Sequence, residues 1–68
     1  MSISKNSSCY IIRVINKITE EGTFIKEKRV VNKEEIALKT YSDFLKKYPD
    51  LKIECLNYKT GEMIDKNF

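Results

Sequence analysis

Two cysteines, five serines, two adjacent acidic pairs and one basic run are the side chains in this 68-residue chain whose types suit chemistry. The chain has no His, so the usual general base near neutral pH is missing. Four of the serines, Ser2, Ser4, Ser7 and Ser8, crowd the first eight residues, and none, Ser42 included, lies in a nucleophile-elbow pattern. Cys9 has only Lys5 nearby in sequence to favour its thiolate, and it reads as an ordinary strand cysteine. Cys55 reads as a small core residue. The two cysteines fall on opposite faces of the expected sheet, so no disulfide between them is expected. Glu20-Glu21 has the setting of a turn, and Glu34-Glu35 that of a helix first turn, where the macrodipole favours carboxylates. Neither Gly22 nor Gly61 stands in a phosphate-cradling pattern. No zinc set can be completed without His, and the acids lack the spacing of a calcium loop. These observations predict no catalytic residue, no metal and no cofactor.

The basic run is Lys26, Lys28 and Arg29, next to Phe24 and extended by Lys17 and Lys33. Such residues on a β-ribbon can track a phosphate backbone. Glu27, Glu34 and Glu35 interrupt the run, and lysines on an edge strand also serve to discourage stray pairing. Thirteen Lys and Arg against ten Asp and Glu give a formal charge of +3, mildly basic and short of a dense nucleic-acid stripe.

The elements that position these residues follow from apolar spacing. Residues 1–8 are small and polar and are expected to form a flexible tail ahead of a single domain over 9–68. A β-branched run from Cys9 to Ile18 predicts a strand, Thr19 to Thr23 a turn around Gly22, and Phe24 to Val31 a polar edge strand. Asn32 is the expected helix N-cap, with Glu35 completing a capping box. Ala37, Tyr41, Phe44, Leu45 and Tyr48 fall on one helical face, with Leu38 at its margin, and Pro49 stops the helix. Leu51 to Tyr58 and Glu62 to Asp65 are the expected third and fourth strands, separated by a turn at Lys59-Thr60-Gly61. The fold class is therefore α+β: a two-layer ββαββ domain, an antiparallel sheet with one helix packed on one face. The two hairpins also align, Ile12–Thr19 with Ile53–Thr60, sharing an Asn and a Thr three residues apart ahead of each Gly, with only Glu20-Glu21 unmatched. Either a duplication or two independent good hairpin sequences accounts for this.

Alternation then assigns faces. Tyr10, Ile12, Val14, Ile18, Leu51, Ile53 and Cys55 face the helix. Ile11, Ile15, Leu56 and Tyr58 point the other way, among Arg13 and Glu54 as a cross-strand ion pair. An apolar patch rimmed by charge marks an interaction surface. The expectation is a non-enzymatic protein-interaction module that is also a homodimer. Ile11, Arg13, Ile15, Glu54, Leu56 and Tyr58 would form the interface with a second copy or an unidentified protein. The alternative is a nucleic-acid-binding regulator using Lys26, Lys28 and Arg29; a small-molecule site at a dimer seam is a third reading. No apolar leader or span appears at the start, which predicts a cytoplasmic location away from membranes. The bias towards Lys, Ile and Asn suggests an AT-rich genome. In general character the chain resembles small accessory proteins of phages and mobile elements, many of which bind and block a larger protein.

Overall fold

A computed structural model describes residues 9–68; the expected tail at 1–8 lies outside them. The element order is β1 (Tyr10–Thr19), β2 (Gly22–Val31), α1 (Glu34–Lys47), β3 (Lys52–Asn57) and β4 (Met63–Lys66). The strands form one antiparallel sheet in the order β2-β1-β3-β4, and α1 packs on one side of it. This is the ββαββ α+β architecture that the sequence predicts. β1 and β3 are central, β2 and β4 are the edges.

The β1–β2 turn is tighter than the sequence suggests, whereas the β3–β4 turn is longer, with β3 ending at Asn57 and β4 starting at Met63. β1 runs to Thr19 and β2 starts at Gly22, leaving Glu20 and Glu21 as the loop. Gly22 (φ 143) and Gly61 (φ 78) are the described residues with positive φ, a region where a Cβ is disfavoured. The hydroxyl of the shared threonine does the same work in both hairpins. Thr19 Oγ1 accepts from Glu21 N at 3.2 Å, and Thr60 Oγ1 accepts from Glu62 N at 3.2 Å. The shared asparagine does not. Asn57 Oδ1 accepts from Lys59 N and Thr60 N, whereas Asn16 is exposed where the β1–β2 register slips between Ile15 and Lys17.

The helix start is a correction. Lys33, not Asn32, is the N-cap residue, and no side chain caps the first turn. β2 continues to Val31 and the chain bends before entering the helix, so the expected box at Asn32 and Glu35 does not form. Glu34 and Glu35 still stand in the first turn, and Lys46 and Lys47 in the last, as the macrodipole favours. Tyr48 N closes the helix end on Phe44 O at 2.8 Å.

The core lies between α1 and the sheet. Tyr10, Ile12, Val14, Ile53 and Cys55 meet Ala37, Tyr41 and Phe44, with Val31, Leu45, Tyr48, Leu51 and Ile64 packed at the margin. Thr40, polar and outside the expected stripe, is buried too. Ile18 is exposed, because β1 extends past the end of β3 and leaves the helix behind. Asn67 fastens the chain end to the sheet: its Oδ1 accepts from Ile53 N at 2.7 Å, and its Nδ2 donates to Leu51 O at 3.0 Å.

Candidate functional site

The face of the sheet away from α1 is ordered in rows by strand register. Ile11 lies opposite Val30 on β2 and Leu56 on β3, and Leu56 lies opposite Met63 on β4. The result is an apolar row, Val30–Ile11–Leu56–Met63, across all four strands. Two residues along, Arg13 lies opposite Lys28 and Glu54, and Glu54 opposite Lys66, giving a charged row Lys28–Arg13–Glu54–Lys66. A third row holds Ile25, Ile15 and Lys52. Alternation along β1 and β3 puts their members of the three rows on one face. The pairing register, which skips Lys26 on β2 and Ile64 on β4, sets the edge-strand members opposite them.

Exposure separates these residues into an accessible set and a set that holds the face together. Val30 is 53% exposed and Met63 42%, at the two ends of the apolar row. Ile11 and Leu56, between them, are half-buried. Ile15 is only 5% exposed: it lines a recess with Asn16, Lys17, Ile18, Asp50, Leu51 and Lys52, beside the slip in β1–β2 pairing. Glu54 is also 5% exposed, and its carboxylate is ion-paired with Arg13 on the neighbouring strand. The buried Arg13 Nε–H has no hydrogen-bond partner among the described residues. Tyr58 lies beyond the end of β3, in the turn, with its ring exposed and its N–H donating to Cys9 O at 2.8 Å. Of the six residues expected at an interface, the structure brings Ile11, Arg13, Ile15, Glu54 and Leu56 together on the face and sets Tyr58 apart.

Three contributors escaped the sequence reading. Val30 and Met63 extend the apolar row onto both edge strands. Phe68 joins the face from the chain end, with Lys52 Nζ 5.6 Å and Lys66 Nζ 5.2 Å from its ring centre, within cation–π range. The register of β2 and β4 against the central strands carries this information, and strand lengths alone do not give it.

The basic run divides. Lys28 pairs with Arg13 on the open face, whereas Arg29 pairs with Ile12 on the helix side. Lys26 sits at the slip between Glu27 and Ile25. Neighbours along a strand point to opposite sides, so the three cations do not form one ribbon surface. On the helix side, Glu27 is held instead by α1: Tyr48 Oη donates to its carboxylate at 2.6 Å and Lys47 Nζ approaches at 3.4 Å. The Tyr48 bond is the main cause of the lowered pKa of Glu27.

Cys55 is enclosed in the core, and burial raises its thiol pKa, with Asp65 and Glu34 adding to the effect. Burial likewise raises the pKa of Tyr41, again with Asp65 contributing. Both groups are therefore held in their neutral forms, a setting for packing rather than thiolate or phenolate chemistry. Among the described residues, no three His, Cys, Asp or Glu gather as a metal set, and no helix is long and apolar enough to cross a membrane. Compared with known proteins, the chain matches no family model, no curated protein and no solved structure.

Proposed function

We propose that this chain is a non-enzymatic protein-interaction module that acts by occupancy through the open face of its sheet. The observation that carries the reading is the apolar row Val30–Ile11–Leu56–Met63 lying beside the ion-paired row centred on Arg13 and Glu54. The row supplies apolar anchors, and the charges beside it fix where a partner sits. Exposed apolar side chains collected on one face favour removal from water, and a partner is what removes them. The arrangement also refines which positions serve. Val30, Ile11, Leu56 and Met63 are the anchors, while Ile15, being enclosed, supports the face from within.

A second copy is one possible occupant, but the charges disfavour it. The three rows hold Arg13, Lys28, Lys52 and Lys66 against Glu54, and stacking two such faces brings cations together.

Site-specific photo-crosslinking in the cells that make the protein tests the reading. A benzoylphenylalanine at position 30 or 63 should give covalent adducts to protein, whereas one at position 39, on the exposed side of α1, should give none. Equal adducts from all three positions, or none from any, would overturn it. An adduct of twice the chain mass identifies a homodimer. Adducts to nucleic acid alone would replace the module with a nucleic-acid binder.

A further inference from the structure

We infer that the occupant of the open face is an acidic peptide segment of a different protein, one that carries apolar side chains beside its carboxylates. This rests on the module reading above and adds the chemistry of the partner. Four of the charged side chains in the three rows are cations and one is a carboxylate. That carboxylate, Glu54, is buried and already engaged by Arg13. Lys28, Lys52 and Lys66 make no ion pair among the described residues.

Lys28 also stands directly opposite Arg13. Like charges at directly opposed positions of a sheet repel and are unfavourable. A carboxylate arriving between them converts that repulsion into two attractions. At the other end of the row, Lys66 and Lys52 flank the Phe68 ring. An aromatic ring so placed keeps both ammonium groups beside the face.

The spacing sets the length of the segment. Lys28 and Lys66 sit on the two edge strands, three strand intervals of about 4.8 Å apart, or roughly 14 Å. The apolar row runs parallel to them, two residues away along the strands, roughly 7 Å. A segment of a few residues that sets carboxylates over the cations therefore has apolar positions within reach of Ile11 and Leu56. A second copy cannot offer the same complement, since its own face carries the same cations.

The test is an NMR titration of the isotope-labelled chain with a synthetic peptide of about twelve residues that alternates Leu with Glu. A matching peptide with Gln for Glu and a single-stranded DNA of the same charge serve as comparisons. The acidic peptide should shift the amides of Ile11, Arg13, Lys28, Val30, Leu56, Met63 and Lys66. Its affinity should fall about tenfold between roughly 50 mM and 500 mM salt, as expected for contacts between exposed charges. Lys28→Glu with Lys66→Glu should abolish the shifts, and Lys39→Glu with Lys46→Glu on α1 should leave them intact. Matching spectra of the two variants away from the substitutions establish that both are folded. Absence of shifts, equal binding of the Gln peptide, or tighter binding of the DNA at the same amides would overturn the inference. Failure here together with protein adducts from positions 30 and 63 would leave the module standing with a partner that is not acidic. Failure of both would remove the interface itself.

Discussion

The two faces of this sheet come from the same strands and the same alternation, yet they have been completed differently. On the helix side the central strands present Tyr10, Ile12, Val14, Ile53 and Cys55, an uninterrupted apolar set that α1 closes with Ala37, Tyr41 and Phe44. On the open side the same strands present Ile11, Arg13, Ile15, Leu56, Glu54 and Lys52. Only Ile11, Ile15 and Leu56 of these six are apolar, and an ion pair divides them. Closing a second layer over Arg13 and Glu54 would strip water from Lys28 and Lys66 as well, and unpaired charge is costly to bury. Charge in the middle row thus keeps the open face as a surface, while its absence from the other face permits a core.

The largest expected effects break this difference at the core. Phe44→Ala and Ile12→Ala, both at enclosed positions, should each cost about 2–5 kcal/mol in urea denaturation, through lost burial and a residual cavity. Val30→Ser and Met63→Ser, at exposed ends of the apolar row, should each cost less than about 1 kcal/mol. If the serine variants unfold as readily as the core variants, the open face belongs to the core and no interface remains to be explained.

A smaller effect sharpens the comparison at the charged row. Arg13→Met leaves the buried Glu54 carboxylate with Lys66 as its nearest cation by register, and it should destabilise by roughly 1–3 kcal/mol. This lies below the value for a fully buried pair because the Arg13 side chain is 39% exposed. The double variant Arg13→Met, Glu54→Leu should recover most of that loss, since neither charge is then stranded. It should also make the centre of the middle row apolar, between Lys28 and Lys66, and make the chain associate at lower concentration in light scattering. A double variant less stable than Arg13→Met alone would show that the pair adds net stability, contrary to the role given to it here.

Much of this was legible in the sequence, and the misses share a cause. β-branched runs broken by Gly22 and Gly61, and an apolar helical stripe before Pro49, suffice to predict ββαββ. The apposition of Arg13 with Glu54 follows from alternation once the two central strands are set side by side. Quantities fixed by register between elements were not legible. Nothing local states that Val30 and Met63 align with Ile11 and Leu56, or that β1–β2 pairing slips near Asn16. The divergence of Lys28 and Arg29 to opposite faces, by contrast, follows from alternation alone. The N-cap failed similarly: Asn32 has the right side chain, but the path out of β2 decides where the helix begins. Exposure at Ile15 also depends on packing, in this case the return of residues 50–52 beside it.

The smallest effect concerns the rim of the closed face, where Tyr48, the residue that follows α1, is tied to β2 by its hydrogen bond to Glu27 as well as packing on the core. Glu27 has its pKa lowered from 4.5, chiefly by the Tyr48 hydroxyl and further by Lys47. Because its folded value lies below its unfolded one, its contribution to stability is complete above about pH 4.5. That contribution fades as the pH falls through the lowered value. Lys47 has the opposite sign: its pKa is raised from 10.5, by Tyr48 first and Glu27 second, so its contribution disappears only as the pH climbs through the raised value. Tyr48→Phe removes the hydroxyl and keeps the ring against Phe44, whose centre lies 6.1 Å away. The stability difference between Tyr48→Phe and the parent should therefore be steady around neutral pH and shrink as acid protonates Glu27. Urea melts at a series of pH values measure it. A difference that persists unchanged into acid would mean that Tyr48 contributes through packing alone, leaving the closed face without the polar tie that distinguishes its rim.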